Sequence, residues 1–349
     1  MNHESDMTTR DEVSSVPDTM RAIVQDRYGP PAVLRLSEIP TPTLEKSRVL
    51  VRVAAASLNF YDWHLTTGKP YMARAFSGFR SPKSPVPGAD VAGTVVGVGS
   101  AVEGLSVGDR VMGEIGSGAF AEFASAGPSQ LTPISGRVSF EQAASTPLAA
   151  ITALQGLRDL AKVTSGHRVM INGASGGVGT FAVQLAKVLG AEVTAVCSTA
   201  KVEMVRSIGA DRVIDYMADD FTEAERGYDV LFDNVGNRRY RDTSRVLAPG
   251  GIIVATTGPK HAVFGPLREL LAAKVVSFAG DKRFTWFTST VKREDLEYLA
   301  HLLSSGELRA VIERRYSLEE LPGGLDYLGE GHVHGKLVVN VAGAEGSQA

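Results

Sequence analysis

The sequence predicts an α/β fold in which a doubly wound parallel sheet follows a β-rich domain. Three observations carry this reading. Over residues 20–145, short apolar or alternating runs are punctuated by Gly, Pro and Ser. Over 146–281, strand-like runs alternate with helical periods. Between the first such strand and the first such helix lies a glycine-rich turn at 173–179.

Taken in order, the first 19 residues are polar and lack an apolar core, which predicts a disordered tail rather than a signal peptide. Strands are expected at 21–25, 49–55, 91–98, 109–113 and 119–124, in a small barrel or sandwich. The run 167–172 is a short apolar strand. After it, Val178, Phe181, Ala182, Leu185, Ala186 and Leu189 recur on one face of a helix, which Gly190 ends. A strand at 192–197, a helix at 201–208 and strands at 212–215, 228–233, 251–255 and 275–279 complete six strands with helical crossovers. The segment 282–349 shows helices at 293–304 and 318–328 and a strand at 336–341. With so little core of its own, it is expected to return and complete the first domain.

Charge and cysteine narrow the function. Lys and Arg total 36 against 39 Asp and Glu, a net charge of -3, and no basic block marks a nucleic-acid or anionic-membrane surface. The single cysteine, Cys197, excludes an intrachain disulfide and any site built on two thiolates. No run reaches the ~18–20 apolar residues of a membrane span, so a cytoplasmic location is expected.

The turn reads Gly173-Ala174-Ser175-Gly176-Gly177-Val178-Gly179. A dinucleotide pyrophosphate needs bare backbone beside a helix N-terminus, where unpaired N–H groups and the dipole favour anions. Gly176 permits that approach and Gly179 permits close helix–sheet packing, while Ala174 replaces the first glycine of the strict fingerprint. At the end of the second strand, NAD sites place an acid. Here Cys197-Ser198-Thr199-Ala200-Lys201 offers hydroxyls and an ammonium, which favours NADP(H); the alternative is that Ser198 and Thr199 only cap the next helix.

Several segments together resemble the medium-chain dehydrogenase/reductase superfamily, in its zinc-independent quinone oxidoreductase branch. They are Gly29-Pro30, Ser57-Leu58-Asn59-Phe60-Tyr61-Asp62, Pro87-Gly88-Ala89-Asp90 with Gly93, Gly97 and Gly99, Val107–Val111 and Gly118–Glu122. Ala174–Gly179 and Ile208-Gly209-Ala210-Asp211 continue the series, and the resemblance spans about 20–342. It implies a GroES-like β-barrel catalytic domain, a Rossmann domain and a cofactor in the cleft between them, which the Cys197–Lys201 segment makes NADPH. Zinc members ligate a catalytic metal with Cys, His and Cys; those motif positions read Asn59, Ala89 and Leu148, so no metal is expected. His332 and His334 form an H-x-H without an evident third ligand and read as surface histidines.

The resemblance places Thr152 near the nicotinamide carboxamide and Tyr216 along the adenosine phosphate. Asn234 and Gly236 follow the fourth strand, Thr257 and Gly258 the fifth, and Lys336 matches a position that reaches the cofactor. Capping or turn roles for Thr152 and Asn234 are the alternative. Without a metal, hydride transfer to a quinone or conjugated carbonyl needs donors near the oxygen where charge develops. Residues 60–79 hold six aromatics (Phe60, Tyr61, Trp63, Tyr71, Phe76, Phe79) among Lys69, Arg74, Arg80 and Lys83, either a pocket wall for flat substrates or a satellite core. Asn59 and Tyr61 are expected to face the nicotinamide. The proton donor is sought among Tyr61, His64 and Tyr71. Quinone reductases often carry a tyrosine where His64 stands, and enoyl-thioester reductases carry one close to Tyr71. An enoyl-thioester (acyl-CoA) reductase and a non-enzymatic NADPH-binding protein are the other two readings. The apolar run at 270–273 and the edge strand at 275–279 predict a homodimer.

Overall fold

The computed structural model describes residues 16–71, 74–256 and 281–341. The tail expected over 1–19 lies outside them as far as residue 15. The first domain contains β1 (Thr19–Val24), β2 (Arg35–Pro40), β3 (Val49–Leu58), β4 (Asp90–Val98), β5 (Arg110–Glu114), β6 (Phe123–Ala126) and β7 (Leu131–Pro133). The expected strand at 119–124 starts later, because Ala121 makes only a bridge to Ala22 before the chain joins β3 at Phe123.

The second domain follows with β8 (Arg168–Asn172), β9 (Glu192–Cys197), β10 (Arg212–Asp215), β11 (Tyr228–Asp233), β12 (Leu247–Ala255) and β13 (Arg283–Trp286). These form one parallel sheet in the order β10-β9-β8-β11-β12-β13, with the strand order reversing between β9–β8 and β11. The strand expected at 275–279, and with it the predicted dimer edge, lies outside the described residues.

The return to the first domain comes later than residue 282. β13 pairs with β12, and the helix Arg293–Ser305 buries Leu296, Leu299 and Leu303 in the core of the parallel sheet. Its apolar stripe finds that core first, so this segment stays with the second domain. β14 (Ile312–Ser317), the helix Leu321–Gly329 and β15 (Lys336–Asn340) cross back: the helix buries Leu321, Leu325 and Leu328 in the barrel core, and β15 pairs antiparallel with β3. The barrel sheet thus runs β14-β15-β3-β4-β5-β7, with β6 also on β3.

The two sheets share a core. Ala55, Ala92 and Met112, level with one another on β3, β4 and β5, pack in the same cluster as Ala149, Ala150 and Phe181 of the second domain. The opposite face of the barrel sheet, with Val51, Val53, Val91 and Val111, has its own core. The cleft between the domains therefore opens beside one chosen face of the barrel.

Candidate active site

The cofactor half is built from the carboxyl ends of the parallel strands. β8 ends at Asn172 and the chain turns at Gly173, whose φ is 78°. Gly173 thus supplies the left-handed turn, one residue before the Ala174 that breaks the strict motif. At Gly179 a Cβ would lie 2.1 Å from the Gly173 carbonyl oxygen and 2.8 Å from Ala174 backbone, so no side chain fits there. Gly176 caps the helix Gly177–Val188, and the Thr180 N–H to Gly176 carbonyl bond at 2.9 Å begins its ladder. The N–H groups of Gly177, Val178 and Gly179 precede that bond, and a helix start of this kind suits an anion. Ser175 lends its carbonyl to the Gly335 N–H at 2.8 Å, fastening the loop to the segment that enters β15.

Further along the edge, the expected nucleotide contacts are partly committed elsewhere. Ser198 caps nothing, but Thr199 donates to Asp215 Oδ2 at 2.5 Å. Asp215 stands there because β10 pairs in parallel with β9, setting it level with Cys197. The acid missing from the second strand thus arrives from the third. Lys201 Nζ donates to the His332 carbonyl at 2.6 Å, and Tyr216, half exposed, donates its N–H to the Cys197 carbonyl. Thr152 Oγ1 donates to the Leu148 carbonyl at 2.7 Å and lies 2.9 Å from Ser289 Oγ. Gly236 donates its N–H to Asp233 Oδ1 at 3.1 Å, whereas Thr257 and Gly258 lie outside the described residues. Asn234 accepts from Thr256 Oγ1 at 2.9 Å, but its buried Nδ2 has no hydrogen-bond partner among the described residues. A buried unpaired amide is costly. Set at the carboxyl edge with the free helix N-terminus and the bare backbone of Gly179, it fits this half for a dinucleotide.

The other half is a buried charge cluster that reading along the sequence did not show. Asn59 Nδ2 donates to Asp90 Oδ2 at 3.0 Å, and its Oδ1 accepts from Lys336 Nζ. Asp62 accepts from the N–H groups of Asn59 (2.9 Å) and Ala89 (3.1 Å); Asp90 accepts from Ser57 Oγ (3.0 Å) and the Leu148 N–H (2.9 Å). Lys336 Nζ lies 3.8 Å from Asp90 Oδ2, both side chains at 2% exposure or less. Burial outweighs pairing on both sides. It lowers the Lys336 ammonium, raises Asp90, and pushes Asp62 up to about 7 with help from Asp90. Asp62 stood in the sequence as the end of the Ser57–Asp62 segment; the structure makes it the N3 residue of a capping box that Asn59 begins. Lys336 also roofs the loop, since a Cβ on Gly177 would meet its Cδ at 3.2 Å.

The candidate proton donors separate. Tyr61 is 40% exposed beside this cluster; burial, Asp62 and Glu114 raise its phenol above the usual value. His64 Nδ1 lies 2.6 Å from the Lys69 carbonyl, an acceptor, so Nδ1 carries the proton, and burial lowers its pKa; the ring is neutral with Nε2 unprotonated. Tyr71 is 71% exposed, its ring against the Arg74 guanidinium, which also covers Tyr28. The loop is thus partly self-packed. Phe76's side chain lies outside the description, and Phe79 points to solvent.

Residues 45–136 match the model described as an alcohol dehydrogenase GroES-like domain, and 208–339 that of a zinc-binding dehydrogenase. The chain is 35% identical over 340 residues to a 2-methylene-furan-3-one reductase of Solanum lycopersicum, covering 93% of this chain and 80% of that one. It belongs to the medium-chain dehydrogenase/reductase superfamily, in the zinc-independent quinone oxidoreductase-like branch. An NADPH-dependent alkenal/one oxidoreductase of Arabidopsis thaliana is also 35% identical, with 93% and 81% coverage. The quinone oxidoreductase structure from Coxiella burnetii superposes with a TM-score of 0.81 at 34% identity, over 93% of this chain and 99% of that one. Against this superfamily frame, the three metal-ligand positions hold the charge cluster instead. Asn59 bonds Asp90 through its side chain, Ala89 gives its N–H to Asp62, and Leu148 gives its N–H to Asp90. Among the described residues, no group of three or more His, Cys, Asp or Glu is arranged to hold a metal ion. His334 instead sits 3.3 Å from Glu313.

Proposed function

We propose that the chain is an NADPH-dependent oxidoreductase that reduces quinones or α,β-unsaturated carbonyls without a metal. The observation that carries the reading is the conversion of the three ligand positions into supports for Asp62, Asp90 and Lys336. An amide, a methyl and an isobutyl group hold no Lewis acid, so the substrate must be one whose reduction needs none. Quinones and enones meet that requirement, and they are what the relatives are named for.

Bound NADPH supplies the hydride. The N–H groups of Gly177, Val178 and Gly179 would hold its pyrophosphate, and Asn234 Nδ2 would donate to the nicotinamide end. Lys336 lies over the loop and holds Asn59 and Asp90 beside it. Ser198, Lys201 and Tyr216 border the 2′-phosphate, which requires Lys201 to exchange the His332 carbonyl for that phosphate. Asn59 spends both its amide hydrogens on Asp90 and Ser57, so it positions the cluster rather than touching substrate. A homodimer and a cytoplasmic location complete the reading; light scattering at micromolar concentration and fractionation of cells test them.

The deciding experiment measures nucleotide oxidation across quinones, alkenals, enones and enoyl-thioesters, before and after exhaustive dialysis against a chelator. Turnover of quinones or enones with NADPH, undiminished by dialysis, is expected. Turnover confined to acyl-thioesters, or activity lost with a bound metal, would overturn it.

A further inference from the structure

Among the described residues, one carboxyl beside the cleft has no hydrogen-bond or ion-pair partner. Glu114 closes β5 directly opposite Asp90 on β4, which in turn lies opposite Ser57 on β3. Residues opposed across antiparallel strands point to the same face. Ser57, Asp90 and Glu114 therefore form a row one step beyond Ala55, Ala92 and Met112, on the face turned toward the second domain. Within that row Ser57 and Asp90 are hydrogen-bonded. The half-buried Glu114 carboxyl makes no hydrogen bond or ion pair with any of the described residues.

The donors nearby are already spent. Asp62 takes the N–H groups of Asn59 and Ala89; Asp90 takes Ser57, Asn59, Leu148 and the flank of Lys336. A third carboxylate against these two, with no donor of its own, is disfavoured as an anion. The groups facing Glu114 are Asp90 from β4 and Asp62 and Tyr61 from the helix Phe60–Thr67, with Lys336 of β15 behind the two acids. Burial, then Asp90 and Asp62, push Glu114 up to about 8, so it keeps its proton at neutral pH. Tyr61 is the exposed member of the set, which puts Glu114 at the open edge of the cluster.

We propose that Glu114 is the proton donor of the reduction, its neutral carboxyl giving the O–H proton to the substrate oxygen beside Tyr61. This rests on the functional reading above. The conjugated carbonyl accepts hydride at its β-carbon, the C=C pair moves toward oxygen, and the resulting enolate oxygen takes the proton from Glu114. The enol then becomes the saturated ketone in water, and the Glu114 carboxylate regains a proton from solvent. The substrate gains two electrons and two hydrogens while NADPH becomes NADP+. For a quinone, the same hydride and proton yield the hydroquinone.

The test compares Glu114→Gln, Glu114→Asp and Tyr61→Phe with the unmodified protein. The glutamine keeps the shape and loses the proton, so kcat should fall at least about 100-fold at pH 7 while NADPH affinity, read by fluorescence, stays within roughly twofold. In the unmodified protein kcat should fall as pH rises through about 8. Glu114→Asp should keep that limb at a reduced rate, and Glu114→Gln should lose it. Independently of turnover, the infrared difference between the unmodified protein and Glu114→Gln should contain a neutral-carboxyl C=O band at pH 7 that vanishes by pH 10. Unchanged kcat in Glu114→Gln, the missing infrared band, or a loss confined to Tyr61→Phe would overturn the proposal alone. Failure of the unmodified protein to reduce any quinone or enone would remove the functional reading, and this donor with it.

Discussion

The pyrophosphate end of the cofactor half hangs on one uninterrupted stretch, 172–188, whereas the charged half draws Ser57, Asn59, Asp62, Asp90, Glu114, Leu148 and Lys336 from five places in the chain. The first uses backbone: unpaired N–H groups, a left-handed turn and one position where a Cβ has no room. The second uses side chains that are individually unfavourable in the interior and tolerable only together. A backbone site is robust to its surroundings. A charge cluster fails as a unit.

The largest expected effect tests that contrast. Lys336→Met leaves Asp90 and Asp62 buried without their cation, and breaking a buried pair costs about 3–5 kcal/mol. Denaturant melts should show the loss, and it should be smaller at pH 5 than at pH 8, because protonating the acids removes the uncompensated charge. A pH-independent loss would mean that Lys336 acts through packing alone. The matching change in the backbone half is Gly179→Ala. Its Cβ would meet the Gly173 carbonyl at 2.1 Å, against backbone that cannot swing aside. Overpacking of this kind costs about 1–3 kcal/mol. NADPH binding should be lost before the fold is, and calorimetric titration beside a thermal melt separates the two.

What could be read from the sequence follows the same division. The strand, glycine turn and amphipathic helix at 167–190 are contiguous, so periodicity and turn chemistry exposed them together. Asp90 and Glu114 meet only because β4 and β5 pair in one register, and no spacing of 24 residues announces that. Asp215 was visible, but its reach to Thr199 needed the parallel pairing of β10 with β9. The strand β13 was missed because 283–286 is short and half-exposed, its assignment made by the edge of β12 rather than by its own pattern.

A third prediction sharpens the charged side. Glu114 rises from 4.5 to about 8 in the folded chain. A group whose folded pKa is raised gives stability that is full below its unfolded value and lost as pH rises through the folded one. The unmodified protein should therefore lose stability between pH 4.5 and 8, and Asp62, raised from 3.8 to about 7, adds to the same slope. Glu114→Gln removes its share. The variant should match the unmodified protein near pH 4 and exceed it at pH 8, as urea midpoints across that range would record. Equal slopes in the two proteins would place the Glu114 carboxyl in water.

The smallest effect lies at the far end of the cofactor half, where side chains intrude on a backbone site. In the proposed NADPH reading Ser198 and Lys201 border the 2′-phosphate, yet Asp215 stands one hydrogen bond from Thr199 and would oppose it. The Thr199 hydroxyl holds Asp215 below the usual carboxylate range, so it is ionised at any working pH. Asp215→Asn keeps the hydrogen bond from Thr199 and removes the charge. Because the carboxylate is open to solvent and screened, the expected gain in NADPH affinity is modest, about two- to fivefold, with NADH unchanged or slightly weaker. Lys201→Ala should move the ratio the other way, since it removes an ammonium that in the free protein bonds the His332 and Val333 carbonyls and no carboxylate. Fluorescence titration of both nucleotides at two salt concentrations measures this. An NADPH preference that is unmoved by either substitution would leave Ser198 and Tyr216 as the groups that read the phosphate, and a preference for NADH in the unmodified protein would show that Asp215 dominates the site.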